Sequence, residues 1–407
     1  MRRAVLWSLA VAAVLVITIV SVVVVQWLGQ FLLDTSKTTN ESPTPIRAAV
    51  IGGATPGSLV SAMTMPGFTR TADGKHLQAA RVVYRSTEGD TGAPTVVSGS
   101  VFTPLGPPPA GGWPVVAYGH GTTGIDKPCA PSLSDSLLGT GSVVAGLTGQ
   151  GYAVAVPDYQ GLGIDGVHPY SDARTAGFNM IDAVRALRHT FKKVSNRWAA
   201  FGGSQGGGAA WSADEQARGY APELQLVGAV AVSPAADVSG IVDKAQQGTL
   251  TSDQGPVMQL LVESLARLHQ DLNRDDFRRG AALKYWDVLS ACSGAAVHDR
   301  TAAANALGPD DFKPRSPEAA EQLRQLLQKW ALPQQPLSAP LSVVYGTKDT
   351  LVDPQWTTDA IARACALGGT VVWDLQPDKG HGDVDFSAQV TWLADRFTGK
   401  PVASECP

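Results

Sequence analysis

Trp198-Ala199-Ala200-Phe201-Gly202-Gly203-Ser204-Gln205-Gly206-Gly207-Gly208 reads as a short apolar strand that runs into a glycine-bounded serine, then into a glycine- and alanine-rich stretch able to start a helix. Gly202, Ser204 and Gly206 match G-x-S-x-G. In a chain with 43 glycines among 407 residues that match alone carries little weight, and its setting carries more. A strand, a sharp turn and a helix lift a serine hydroxyl above the end of a sheet. The turn strains the serine backbone and crowds the positions two before and two after it, so glycine suits both.

A serine hydroxyl is a poor nucleophile until a histidine takes its proton, and that histidine needs a carboxylate to fix its tautomer and balance its charge. On a scaffold built around this turn the order along the chain is serine, acid, histidine. Of the seven histidines, His76, His120, His168 and His189 precede Ser204, while His269 and His298 fall in a strandless stretch. Only His381 follows the last apolar runs, in the glycine-flanked loop Lys379-Gly-His-Gly-Asp383. For the acid, Asp349 lies at the end of the run LSVVY, in the loop YGTKDTLVDP. Asp353, beside Pro354, reads instead as the N-cap of a helix starting near Gln355 and is the runner-up. Asp374, at the end of the final strand, is a third choice.

An oxyanion needs two N–H donors aimed at it. The N–H of Gln205, directly after the serine, is one. The other is expected from GHGTTG, after the run WPVVAY, at Thr122 or Thr123; His120 in this loop reads as an ordering residue rather than a base.

Outward from this turn, HLQAARVVYRST and TVVSGSVFTP look like two early strands. WPVVAYGHG, GYAVAVPDY, WAAFGGS, VGAVAVSPA, LSVVYGTKD and TVVWDLQP follow. Helical stretches lie between them, such as Thr175 to Phe191, where Ile181, Val184 and Leu187 share a face. Apolar strands alternating with helices predict an α/β fold with a mostly parallel central sheet and helices on both faces. From 239 to 336 no strand is recognisable. Val257, Leu261, Leu265 and Leu268 predict one helix there, and Ser316-Pro317 before Leu323, Leu326, Leu327 and Trp330 predict another. The expected organisation is a core of 49–238 and 337–407, interrupted by a helical cap, 239–336, over the C-terminal edge of the sheet where open α/β sheets hold ligands.

The N-terminus is the compositional anomaly: Arg2 and Arg3 precede Ala4 to Leu33, a run without a charged side chain. The 22 residues Ala4 to Val25 are long enough to cross roughly 30 Å of hydrocarbon as a helix, with the arginines holding that end inside. Residues 1–33 are therefore expected as an uncleaved membrane anchor, with a cleaved signal segment as the alternative, and 34–48 as a polar stalk. Either reading puts the rest of the chain outside the cytoplasm. The net charge of -4 shows no basic footprint for nucleic acid. Cys129, Cys292, Cys365 and Cys406 lack the spacing of a zinc or redox site and read as two disulfides of an exported protein, in any of three pairings. No metal or organic cofactor is implied.

In order and spacing, YGHGTTG followed by CAPS (129–132), VPDYQGLG (156–163), GGSQGG, YGTKDTLVDP and GHGD resemble the secretory lipases typified by fungal lipase A enzymes and their actinobacterial relatives. That resemblance implies an α/β-hydrolase fold with an inserted helical cap, a triad at Ser204, Asp349 and His381, and hydrolysis of carboxylic esters including acylglycerols. It also implies disulfides Cys129–Cys292 and Cys365–Cys406. The chain departs from fungal members in carrying Thr123 where they have an oxyanion-loop aspartate. The expected function is an extracytoplasmic serine ester hydrolase acting on small-molecule or lipid esters. An acyltransferase or peptidase on the same scaffold, or a non-catalytic surface binding protein, are the alternatives.

Overall fold

The computed structural model describes residues 41–407. Its strands are β1 (Leu59–Thr64), β2 (Leu77–Thr87), β3 (Pro94–Pro104), β4 (Trp113–Gly119), β5 (Ala153–Pro157), β6 (Val194–Gly203), β7 (Gln225–Val232), β8 (Leu341–Gly346) and β9 (Val371–Gln376). All nine join one sheet in the order β1-β2-β3-β5-β4-β6-β7-β8-β9. The pairs from β5 through β4, β6, β7 and β8 to β9 are parallel, and β1, β2 and β3 are attached antiparallel. The eight runs read from sequence coincide with β2 to β9. The remaining strand, β1, is a short edge strand with mixed polarity, Leu-Val-Ser-Ala-Met-Thr, and only Leu59 and Ala62 of its six residues are buried in the core.

The major helices are α1 (Gly141–Gly149), α2 (Ala173–Thr190), α3 (Gln205–Tyr220), α4 (Ile241–Gln247), α5 (Gln254–Leu268), α6 (Pro317–Trp330), α7 (Pro354–Ala366) and α8 (Ser387–Thr398). Strand side chains alternate between two buried layers. Val115, Ala117, Ala229, Ala231 and Val343 face α2, α3 and α7, whereas Val116, Val230, Val232 and Val344 face α1 and α8. Small residues let α2 and α3 approach closely: a Cβ on Gly177 would stand 2.8 Å from the Ala213 nitrogen. Continuous apolar runs in the central strands thus follow from burial on both faces.

Between β7 and β8 the described chain is helical or irregular throughout and builds its own apolar cluster. In α5, Leu261 and Leu265 are buried and Val257 and Leu268 half-buried, but Met258, Leu260 and Val262 are buried as well. This helix is therefore enclosed on most sides rather than along one stripe. The Ser316 hydroxyl accepts the Ala319 N–H at the start of α6. The chain returns to the core pinned by two buried acidic side chains of α3. Asp214 accepts the N–H groups of Ser338 and Ala339 (2.9 and 2.8 Å), and Glu215 that of Gln334 (3.0 Å).

The apolar segment at 1–33 lies outside the described residues, as does the first part of the expected stalk. Among the described residues no helix is long and apolar enough to cross a membrane. From Thr44 onward the expected stalk is not a free tether. The Ile46 N–H donates to the Ala62 carbonyl (2.9 Å) and the Thr64 N–H to that of Thr44 (2.8 Å), and Val50 N–H donates to the His189 carbonyl (2.8 Å). The unpaired backbone groups along the outer edge of β1 explain the docking, since this segment satisfies them.

Candidate active site

Ser204 stands between β6 and α3 with φ 57° and ψ −122°, a backbone conformation that an L-residue holds only when its surroundings enforce it. The Ser204 N–H donates to the Val232 carbonyl (2.8 Å), and its own carbonyl accepts from Gly207, Gly208 and Ala235. A Cβ at Gly202 would collide with the Gly206 carbonyl, and one at Gly206 with the Gly119 carbonyl. Both glycines flanking the serine are therefore sterically required, and strain at Ser204 is maintained by three neighbouring backbone segments.

The structure brings Ser204, His381 and Asp349 together. Ser204 Oγ is 2.9 Å from His381 Nε2, and His381 Nδ1 is 2.7 Å from Asp349 Oδ2. The other Asp349 oxygen, Oδ1, accepts the N–H groups of Leu351 and Val352, each at 2.9 Å. With its side chain only 2% exposed, the carboxylate has one free direction, toward the imidazole. The His381 loop reaches the end of β8 because Gly346 has no side chain: a Cβ there would collide with the Lys379 carbonyl. Asp353 instead caps α7 by accepting the Gln355 N–H (3.0 Å) and pairs with Lys244 at 3.0 Å. Asp374 accepts from the Gln376 side chain (2.8 Å). Neither of these alternatives is engaged with His381.

Gln205 opens α3, and Thr122 lines the same cleft as Ser204 and His381. The hydroxyl of Thr122 is 2.7 Å from that of Tyr170, and the Thr123 hydroxyl is buried without a partner among the described residues. The glycine loop passes close by, since a Cβ on Gly121 would lie 3.8 Å from Ser204 Cβ. His120 is fully buried; burial lowers its pKa, and its Nδ1–H donates to the Gly121 carbonyl at 2.7 Å. It braces the loop.

One set of residues escaped sequence reading. His168 Nδ1–H donates to the Gln160 carbonyl (2.8 Å), leaving Nε2 to accept from the Gln205 side-chain amide (3.0 Å). Burial pushes the His168 pKa down to about 4, which keeps the ring neutral and able to accept. The Ser264 hydroxyl of α5 donates to the His168 carbonyl (2.6 Å) and accepts the Tyr170 N–H (2.9 Å). The 168–170 segment thus touches two of the three candidate oxyanion residues, Thr122 and Gln205, and ties them to the helical insert. Nothing in the spacing of these residues signals that convergence.

A cleft of ≈ 770 Å³ opens on Ser204, His381 and Thr122, and Pro256, Leu260 and Arg300 of the insert also line it. Two disulfides, Cys129–Cys292 and Cys365–Cys406, match the pairing that the family resemblance implies, and the first joins the segment after the glycine loop to the insert. Among the described residues no group of three His, Cys, Asp or Glu side chains is placed to hold a metal.

The chain is 26% identical over 353 residues to a probable inactive lipase of Mycobacterium tuberculosis, covering 80% of this chain and 74% of that one. It is 24% identical over 356 residues to Lipase 6 of Candida albicans, covering 79% and 73%. Its structure superposes on Candida antarctica lipase A in its closed state with a TM-score of 0.70 at 17% identity, over 89% of this chain and 87% of that one. The fold is that of the α/β-hydrolases. The family model for secretory lipases matches residues 138–405. On that match, and with a fold that supports a hydrolase of lipid esters, the chain belongs to the secretory lipase family.

Proposed function

We propose that the protein is an extracytoplasmic serine hydrolase of carboxylic esters, with Ser204 as nucleophile, His381 as general base and acid, and Asp349 as the residue that orients His381. The observation that carries this reading is the continuous hydrogen-bonded line from Ser204 Oγ through His381 to Asp349, at 2.9 and 2.7 Å, on a strained turn that opens onto a cleft. With Nδ1–H committed to Asp349, Nε2 is unprotonated and faces the hydroxyl. Ser204 attacks the ester carbonyl as His381 takes its proton. The tetrahedral oxyanion is held by the Gln205 N–H and by the Thr122–Thr123 segment. His381 passes the proton to the departing alcohol, and water repeats the sequence on the acyl-enzyme to release the acid.

Support for location comes from the family's secretory character and from two disulfides, which persist in oxidising compartments. The 1–33 segment is proposed as the export element, retained as an anchor or cleaved, and 239–336 as the cap over a core of 49–238 and 337–407. Ser204→Ala should abolish ester hydrolysis by the full chain while leaving its circular dichroism and melting unchanged. Wild-type turnover in that variant refutes the proposal.

A further inference from the structure

Two adjoining cavities reach Ser204 and share Val257 and Leu351 as walls, and the chemistry distinguishes them. When the acyl–alcohol bond breaks, the departing alcohol oxygen receives its proton from His381 Nε2. The alcohol must therefore lie on the imidazole side of Ser204, and the acyl substituent away from it. His381 lines the ≈ 770 Å³ cleft. A second, more enclosed pocket is lined by Ser204 and Gln205 but not by His381. Its other walls include Ala235, Val238, Ile241, Val257, Leu351 and Trp356. This pocket has a volume of only ≈ 20 Å³, where a single water needs roughly 10–15 Å³. A methyl or ethyl group fits such a space, whereas a fatty acyl tail would have to leave it along the Val257–Leu351 wall that it shares with the cleft.

The far wall is fixed in place. A Cβ on Gly240 would collide with the Trp356 indole, so the bare glycine is what admits the ring. Lys244 Nζ stands 5.6 Å from the ring centre and is paired at 3.0 Å with Asp353, the residue capping the helix that carries Trp356. The adjoining cleft is roomy and mixed, with Arg300, Thr301 and Asn305 beside Pro256, Leu260 and Ala304.

We infer that the enzyme selects esters of short acyl groups, acetyl or propionyl, with a bulky alcohol of mixed polarity, and that Trp356 sets the acyl limit. This rests on Ser204 being the nucleophile. The ester C–O bond breaks as the Ser204 proton, relayed by His381, reaches the alcohol; water then cleaves the short acyl-enzyme to free acetic or propionic acid.

The test is kcat/KM of the purified full chain on 4-nitrophenyl esters from acetate to decanoate, for wild type, Trp356→Ala and the milder Trp356→Leu. Wild type should lose about tenfold or more between propionate and hexanoate, since a methylene that does not fit is discriminated by at least that factor. Trp356→Ala should move the optimum to butyrate or hexanoate, with Trp356→Leu between. Sucrose octaacetate, a bulky acetate, should be hydrolysed with kcat/KM no lower than that for ethyl acetate. Wild type equally fast on octanoate and acetate, or a folded Trp356→Leu variant with unchanged preference, overturns the acyl limit. Rejection of the bulky acetate overturns the assignment of the cleft. A chain that cleaves no ester and resists a fluorophosphonate overturns instead the role given to Ser204, and this inference with it.

Discussion

Replacing Asp349 by asparagine separates orientation of the histidine from folding of the loop, because the two carboxylate oxygens have different jobs. Oδ1 accepts two backbone N–H groups, from Leu351 and Val352, and Oδ2 faces His381 Nδ1. An asparagine can satisfy both backbone donors only with its carbonyl oxygen, which turns its NH₂ toward His381. Nδ1 must then accept, and the proton moves to Nε2, where it blocks transfer from Ser204. A histidine held in the wrong tautomer loses on the order of 10⁴-fold in kcat, about 5.4 kcal/mol of barrier at 1.36 kcal/mol per decade. Because both loop hydrogen bonds survive, the melting temperature should move by no more than about 4 °C. Asp349→Ala, by contrast, leaves two backbone donors without their acceptor and should be destabilised by roughly 1–3 kcal/mol as well as inactive. Steady-state ester hydrolysis and calorimetry on the two variants make the comparison. If Asp349→Asn kept its kcat within about tenfold of wild type, the orienting role argued for Asp349 would be refuted.

Three further outcomes follow from the structure. His168→Ala removes the acceptor that holds the Gln205 side chain and should lower kcat roughly tenfold, a fraction of the 10²–10³ attached to a full oxyanion donor, with KM nearly unchanged; a rise in KM alone contradicts that role. Burial raises the Asp214 pKa to about 8 and that of Glu215 to about 7, so the native state holds protons that the unfolded chain releases near pH 4; stability should fall as pH rises through about 8. Melting temperatures at pH 6 and pH 9 measure this slope, which Asp214→Asn should flatten; an equal slope in that variant argues against it. Removing Cys129–Cys292, whose partners are 163 residues apart, should destabilise by about 5 kcal/mol on the chain-entropy estimate, and denaturant titration of the double-serine variant checks it.

The fold was legible where burial on both sheet faces imposes long apolar runs, as in β4, β6 and β8, and where caps mark helix starts, as at Ser316 and Asp353. The short edge strand β1 and the docked 44–51 segment carry no such mark. Both owe their form to backbone hydrogen bonds, which are blind to side-chain pattern. The site residues split the same way. Ser204 is written into a local turn, and chain order with loop position singles out His381. That Asp349 rather than Asp353 faces the histidine follows from which oxygens the 351–355 backbone occupies, which the sequence shows only indirectly through Pro354. The His168–Gln205 and Gly240–Trp356 contacts join distant segments through shape alone, and no motif announces either.

The most direct test of the account is fluorophosphonate labelling of the full chain followed by peptide mapping. A single adduct on Ser204 is predicted in wild type, none in Ser204→Ala, and a labelling rate lowered by at least about 10³-fold in His381→Ala, where the base is gone. A folded wild-type protein that takes no label at Ser204, or one labelled equally fast without His381, would contradict the claim that these residues form a working nucleophile.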